Sequence, residues 1–494
     1  MIRCARKGER INIAMKNIFT EEREIKRPKV YHALISLFGL IAVMVIGIVG
    51  FGADPHIPMF LGVIIASIMG MVLGYKWSDL EGMMIDGISK AMQSILILAI
   101  VGMMIGAWLL SGTIPTMIYY GLKLLSPKIF LVAALLICSI TSLATGTSWG
   151  TMGTMGLALI GIGAGLGMPV GPTAGAVISG AYFGDKLSPL SDTTNLAPAM
   201  AGTDVFTHVK YMLKSTFLAY GLAAVFFAVY GFIHASSGTV DSSQAVVIME
   251  GIKNNFNVNP LLLLPPLVVI LAIAFKIPAI PGITLGFLTA AVMAPLFQQG
   301  VSFSDILDAS LNGFVCETEV ESLNDLLSSG GLLSMGFSIM MVLIAMMFGG
   351  IMEGTRQMEV LIEALLKVIK GPAALIGATE LTAFFANAVM AEQYISILIP
   401  GRMFAPAYRE KGIHPKSLSN ALESAGTVTS CLIPWNTCGV FIATTLGIHT
   451  AQYAPWAVFN YLMPIICFVL AFFGVTATKM TPEEQEKANR GELV

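Results

Sequence analysis

Apolar runs near twenty residues long recur along the chain at 31–52, 58–77, 93–112, 211–232, 260–276, 278–298, 330–353 and 455–475. Each can cross a hydrocarbon core of about 30 Å as a helix. Two other kinds of segment interrupt this rhythm. Residues 129–166 and 373–402 read as apolar hairpins with polar tips, TGTSWGTMGTMG at 145–156 and NAVMAEQYIS at 387–396. Residues 173–201 and 417–446 read as spans broken midway, the first by SGAYFGDKLSPLSDTTNLAP at 179–198 and the second by LIPWNTCG at 432–439. Hydrocarbon offers no water to unpaired backbone, so a non-helical stretch at that depth persists only where it lines a cavity. Ionisable side chains there are costly and point by default to an ion or substrate path.

The polar punctuation repeats. SDLEGMMIDGI at 78–88 aligns with SDILDASLNGF at 304–314, and MMIGAWLLSGT at 103–113 with MMFGGIMEGT at 346–355. At a spacing of 245, Thr147 and Ser148 fall opposite Glu392 and Gln393, and Pro189 opposite Pro434. Residues 114–125 likewise match 357–369. Each unit reads as two spans, a surface amphipathic helix, a third span, a second surface helix, a polar-tipped hairpin, a broken span and a last span. A re-entrant hairpin does not cross, so each unit crosses five times, and an odd count turns the second unit upside down. The pattern predicts an all-α polytopic membrane protein of two inverted-topology repeats, the arrangement typical of secondary transporters. The expected divisions are a tail at 1–30, a first repeat at 31–233, a linker at 234–259, a second repeat at 260–476 and a tail at 477–494.

Charge supports this layout. With the N-terminus in the cytoplasm, the inside segments hold 24 of the 28 Lys and Arg, and the acidic stretch 300–329, free of Lys and Arg, lies outside. Lys and Arg gather on the cytoplasmic side of membrane proteins, so both tails are expected in the cytoplasm of a cell-membrane protein. The first 30 residues are charged and lack an apolar core, unlike a secretory signal.

Composition agrees. The chain is 55% hydrophobic and 12% charged, where a soluble protein carries about 25% charged residues. The net charge of −2 gives no footprint for nucleic acid. The six cysteines are scattered, and Cys431 and Cys438 have no neighbouring His, so neither a disulfide framework nor a metal motif is legible. There is no H-E-x-x-H, no phosphate loop and no Tyr-Asp dipeptide. No catalytic residue and no resident cofactor are expected.

The four breaks are expected to meet near the midplane. The first unit offers Thr147, Ser148, Thr151, Asp185, Asp192, Thr193, Thr194 and Asn195, and the second offers Asn387, Glu392, Gln393, Asn436 and Thr437. All bear oxygen, which hard cations prefer. Asp192 and Thr193 are the leading Na⁺ ligands, and Lys186 is the charge partner that either braces Asp185 or neutralises an empty site. Glu353, Glu380 and Glu423 sit in helix bodies and read as packing or scaffold partners.

The stretches GTSWGTMGTMGLALIGIGAGLG at 146–167 and SGAYFGDKLSPLSDTTNLAPAMAGTD at 179–204 closely resemble the NhaC family of Na⁺/H⁺ antiporters. The resemblance extends over most of the chain. It implies an ion-transporter fold with re-entrant hairpins, an elevator-type mechanism, and Na⁺ efflux driven by H⁺ entry. Some relatives exchange organic acids instead, malate with protons for lactate with sodium, and the motif does not separate the two. Relatives bind ions at Ser-Asn-Thr triplets, and the nearest matches here are Ser191-Asp192-Thr193 and Asn436-Thr437. The expected partners are therefore the lipid bilayer, Na⁺, H⁺, small organic carboxylates in the alternative reading, and a second copy of the chain in a homodimer.

Overall fold

A computed structural model describes residues 25–236, 242–490 and 492. Most of the expected N-terminal tail, residues 237–241 of the expected linker and the end of the C-terminal tail lie outside the described residues. The helices are, in order, α1 (Val30–Val45), α2 (His56–Val72), α3 (Trp77–Lys90), α4 (Met92–Leu110), α5 (Thr113–Leu124), α6 (Pro127–Thr145), α7 (Ser148–Thr151) and α8 (Leu157–Gly165). Then come α9 (Val170–Leu187), α10 (Asp192–Ala201), α11 (Val205–Ser236), α12 (Ser242–Asn255), α13 (Leu264–Ala274), α14 (Ala279–Phe297), α15 (Phe303–Asn312) and α16 (Glu321–Leu327). The rest are α17 (Gly336–Gly354), α18 (Gln357–Leu366), α19 (Pro372–Met390), α20 (Gln393–Glu410), α21 (Pro415–Leu422), α22 (Thr437–Leu446), α23 (Thr450–Tyr453), α24 (Val458–Phe472) and α25 (Pro482–Asn489). Among the described residues the only sheet pairing is two isolated bridges, Phe314 with Ser329 and Ile413 with Lys479.

Seven helices among the described residues are long and apolar enough to cross a membrane, or nine if each of two bent pairs is one span. The protein is a multi-pass α-helical membrane protein. One bent pair, Ala245–Asn255 with Pro260–Ala274, turns by 104°. The expected linker thus carries a helix, α12, because Ile248 and Ile252 stand one turn apart and are both buried.

The described residues form two compact units. One comprises the described residues up to Met92, with Met341–Val368 and Val389–Ala391. Within it α1 lies close on α2, where Gly39 faces Ile65 and Gly62 faces Leu40. Lys90 pairs with Glu353 at 2.5 Å, and Arg27 with Glu363 at 2.6 Å. The other unit, Gln93–Met340, Ile369–Ala388 and Glu392–Val494, holds the tip of the first hairpin, both broken spans and the residues on either side of 389–391 in the second hairpin.

The breaks have local causes. Pro189 lacks an amide hydrogen and disfavours helical backbone at Ser188, so α9 stops at Leu187. Asp192 opens α10 after an extended Ser191. Helix α6 ends on a left-handed Gly146, and Thr147 then caps α7 by accepting from Gly150 N–H at 3.2 Å. Helix α19 ends at Met390, and the left-handed Ala391 leads into Glu392, which caps α20. Asn436 caps α22 by accepting from Cys438 N–H at 3.0 Å. Left-handed backbone recurs at the 245 spacing, in Gly146 and Ala391, Gly167 and Gly412, Gly202 and Gly447.

Candidate functional site

The four breaks are joined by direct contacts. Ser148, at the tip of the first hairpin, donates to Asp185 Oδ2 in the first broken span at 2.7 Å. Thr193, beyond that break, donates to Glu423 Oε1 in the second broken span at 3.1 Å. Asn436 Nδ2 donates to the carbonyl oxygen of Asn387, on α19 of the second hairpin, at 3.0 Å, and Asn387 Nδ2 donates to Gly426 O at 2.7 Å. Cys438 donates to Gln393 Oε1 at 2.8 Å. Trp149 stacks on Phe441 with ring centroids 4.3 Å apart, closing the circuit between the first hairpin and α22. All of these residues belong to one compact unit.

The centre of the site is a buried charge cluster. Lys186 is 0% exposed, and its ammonium donates to Ser424 Oγ and Met212 Sδ, each at 3.2 Å. The charges acting on it are the carboxylates of Glu423 and Glu380. Glu423 is also 0% exposed, and its Oε2 is buried without a hydrogen-bond partner. Glu423 begins a π-helical turn, Glu423–Thr427, an irregularity that frequently marks functional sites. Glu380 Oε1 and Thr427 Oγ1 are buried and unpartnered as well.

This differs from the expected pairing. Asp185 and Lys186 are neighbours on α9, and consecutive helical positions point about 100° apart. Asp185 therefore turns to Ser148 while Lys186 turns to Ser424. Glu423 and Glu380, read from sequence as scaffold, are the carboxylates whose charge acts on Lys186. The signal that could have found them is the one used for Asp185: a carboxylate inside an apolar span is costly wherever it falls.

The remaining sequence-predicted residues divide by role. Thr194 is buried and donates to the carbonyls of Asp185 and Lys186 at 3.1 Å, satisfying the loose end of α9. Asn195 is exposed and donates to Pro189 O at 2.9 Å and Ser191 O at 2.6 Å, which braces the break. Asp192 is exposed at the rim, reached by the Tyr394 hydroxyl at 3.5 Å. Glu392 is buried and accepts from Tyr394 N–H at 2.6 Å and Ile395 N–H at 3.2 Å. Thr151 donates to Thr147 O at 2.9 Å, and Thr437 is buried at the start of α22. Among the described residues no three of His, Cys, Asp or Glu are grouped to hold a metal ion. A cation here would rely on hydroxyls, amides and carbonyls as much as on carboxylates.

The sequence profile of the Na⁺/H⁺ antiporter family matches residues 180–475. The Na(+)/H(+) antiporter NhaC of Alkalihalophilus pseudofirmus is 37% identical over 465 residues, 94% of this chain and 99% of that protein. The Na(+)/H(+) antiporter NhaC of Bacillus subtilis is 38% identical over 420 residues, 85% of this chain and 92% of that protein. The Malate-2H(+)/Na(+)-lactate antiporter of Bacillus subtilis is 35% identical over 467 residues, 94% of this chain and 99% of that protein.

Proposed function

Because the chain belongs to the Na⁺/H⁺ antiporter family, we propose that it exchanges Na⁺ for H⁺ across the cell membrane through one pocket that holds either ion. The observation that carries this reading is Glu423, wholly buried, with Oε2 free. A bare carboxylate in a low-dielectric interior is costly unless a proton or a cation neutralises it. Na⁺ binds among the oxygens of Glu423, Thr193, Thr427 and Asp185, and Asp192 at the rim admits it. When the pocket is empty Lys186 supplies the compensating charge. A proton and Na⁺ then compete for the same oxygens, which makes the exchange obligatory.

The helices that carry the four breaks travel as one body in an elevator-type movement. The confinement of the whole site to one compact unit supports this. Two inverted repeats, cytoplasmic termini and a homodimer frame complete the reading. The recurrence of left-handed backbone at the 245 spacing supports the repeats, and the Lys and Arg distribution supports the orientation.

The test is Na⁺-driven proton movement in proteoliposomes of purified protein. Glu423→Gln lowers it about a hundredfold, the range of a lost proton-transfer group. Asp192→Asn raises the half-saturating Na⁺ concentration and leaves the maximal rate near wild type. Full exchange by the Glu423 variant would remove that carboxylate from the pocket. A second reading, a coupled organic-acid exchanger, draws on the name of the malate/lactate relative. It also draws on the helix N-termini of α10 and α22, which open at the breaks and favour anionic groups. It requires that external malate or lactate change Na⁺ flux in the same vesicles.

A further inference from the structure

The first half of the second broken span stops at the break, and the last carbonyls of a helix have no partner within it. Hydrocarbon supplies no water to take their place. Here four successive carbonyls each accept from a side chain. Ala425 O accepts from Thr429 Oγ1 at 2.5 Å and Thr427 O from Ser430 Oγ at 2.7 Å, both local to the break. The other two donors reach in from separate helices. Asn387 Nδ2 on α19 donates to Gly426 O at 2.7 Å, and Asn460 Nδ2 on α24 donates to Val428 O at 2.8 Å.

Val428 is the residue that closes the π-helical turn carrying Glu423 and Thr427. Its N–H reaches back five positions to Glu423 O at 3.4 Å. That is longer than the usual N–H···O distance of about 2.9–3.0 Å, so the turn holds itself weakly. Slipping to α-helical pairing would move Val428 N–H onto Ser424 O and rotate the far end of the turn by about 100° relative to Glu423. Asn460 grips the carbonyl of this same residue. It is 0% exposed, its Nδ2 also lies 3.1 Å from Cys431 Sγ, and its Oδ1 is buried without a hydrogen-bond partner. A buried polar atom left unpaired is costly. A leucine would fill a similar volume without that cost, so packing alone does not account for the amide. The preceding residue ties α24 to the first broken span. Phe459 N–H donates to Ser179 Oγ at 3.4 Å, and its ring meets Phe183 edge-on with centroids 5.8 Å apart. Adjacent positions of α24 therefore register both broken spans.

We infer that Asn460 is a positioning residue of the proposed Na⁺ pocket, holding the π-helical turn in the wide form that sets its ligands, rather than a residue that only packs α24 against the break. It touches no ion itself. Its amide fixes Val428, Val428 closes the turn, and the turn keeps Glu423 Oε1 3.1 Å from Thr193 Oγ1 with Thr427 at its other end. Asn387 acts in the same way from α19, two carbonyls earlier in the chain. Two buried amides on two helices thus hold a turn that its own backbone holds poorly. Loss of the Asn460 donor lets the turn relax, and the ligands lose their mutual register before the fold is lost.

This inference rests on the proposed Na⁺ pocket, and the test separates the two. Purified full-length protein is titrated with ²²Na⁺ for binding, and the same protein in proteoliposomes is titrated with Na⁺ for proton movement. Asn460→Leu keeps the volume and removes the donor. It is expected to raise the half-saturating Na⁺ concentration about tenfold in both titrations, the effect of one lost hydrogen bond on an equilibrium, while the maximal rate stays within about threefold of wild type. A merely structural role would lower the thermal midpoint and the yield and leave half-saturation where it was, and that result overturns the assignment. So does a fall in maximal rate with unshifted half-saturation. Should Asn460→Leu fail to insert, Asn460→Ser is smaller, stays polar and withdraws the amide from Val428 O. The same rise in half-saturation is expected of it, and an unshifted titration overturns the assignment too. Wild-type protein that neither binds ²²Na⁺ nor couples it to proton movement would instead defeat the proposed function.

Discussion

Lys186 is tolerable only while negative charge faces it. A buried ammonium stripped of its partners costs several kcal/mol, and so does a buried carboxylate stripped of its ammonium. Lys186→Met leaves Glu423 and Glu380 without the cation whose field reaches both, and about 3 kcal/mol of destabilisation follows. Adding Glu423→Gln to Lys186→Met removes one uncompensated charge and recovers much of that loss. Thermal unfolding of the two single variants and the double variant in detergent measures the coupling. Strictly additive losses would show that the two groups do not interact. Asp185 and Lys186 were visible in the sequence because two charges stood among small and apolar residues. Their facing was not visible, since it depends on which neighbour each side of α9 meets. Glu423 escaped because nothing in the run LSNALESAGT announces that the helix there widens into a π turn.

At the scale of elements, the position of Asp185 depends on how closely α9 lies on α6. A Cβ on Gly180 would come 2.3 Å from Leu135 O, and one on Gly184 would come 2.5 Å from both Leu143 N and Ser139 O. These are backbone atoms, which cannot rotate away, so the two helices touch main chain to main chain, as small residues allow in membranes. Gly184→Ala is therefore expected to cost about 1–3 kcal/mol and to weaken Na⁺ affinity by moving Asp185 off Ser148. Gly221→Ala on α11 meets nothing within 4 Å and is expected to be neutral or slightly stabilising. Paired melting curves and Na⁺ titrations of flux distinguish the two, and equal behaviour would refute the backbone contact. The interruptions after Thr145, Leu187, Met390 and Leu432 were legible because polar tips and prolines break apolar runs. Helix α12 was not, because its face of Ile248 and Ile252 is narrow within the polar stretch expected to be a linker.

At the scale of the molecule, the C-terminal segment returns to clasp the start of the second broken span. His414 N–H donates to Thr478 O at 2.8 Å, and Met480 N–H donates to Gly412 O at 2.8 Å. The Tyr211 hydroxyl bonds Ser417 Oγ at 3.0 Å and Thr478 Oγ1 at 2.8 Å. The His414 ring accepts from Lys416 N–H at 3.1 Å and stands 3.7 Å from Glu484 on α25. Burial, reinforced by the Lys416 charge, takes His414 down to about 4, so the clasp holds the ring neutral. A chain released from the clasp binds a proton near pH 6.5, while the clasped chain does not until about pH 4. The contribution of His414 is therefore fully present above about pH 6.5 and declines as pH falls toward 4. Glu484, held low chiefly by the Thr481 N–H bond and also by His414, acts with the same sign in a more acidic window. Hydrogen exchange of residues 476–490, corrected for the intrinsic rate, should show less protection at pH 5 than at pH 7.5. His414→Gln should flatten that difference, because it keeps a side-chain acceptor near Lys416 and removes the titration. Equal protection at both pH values in the unsubstituted protein would show that the tail is held by its backbone bonds alone. Since the same clasp fixes the entry to α21, and α21 leads directly into Glu423, acid loosening should also appear as faster exchange in residues 415–422 before any change in α6 or α9.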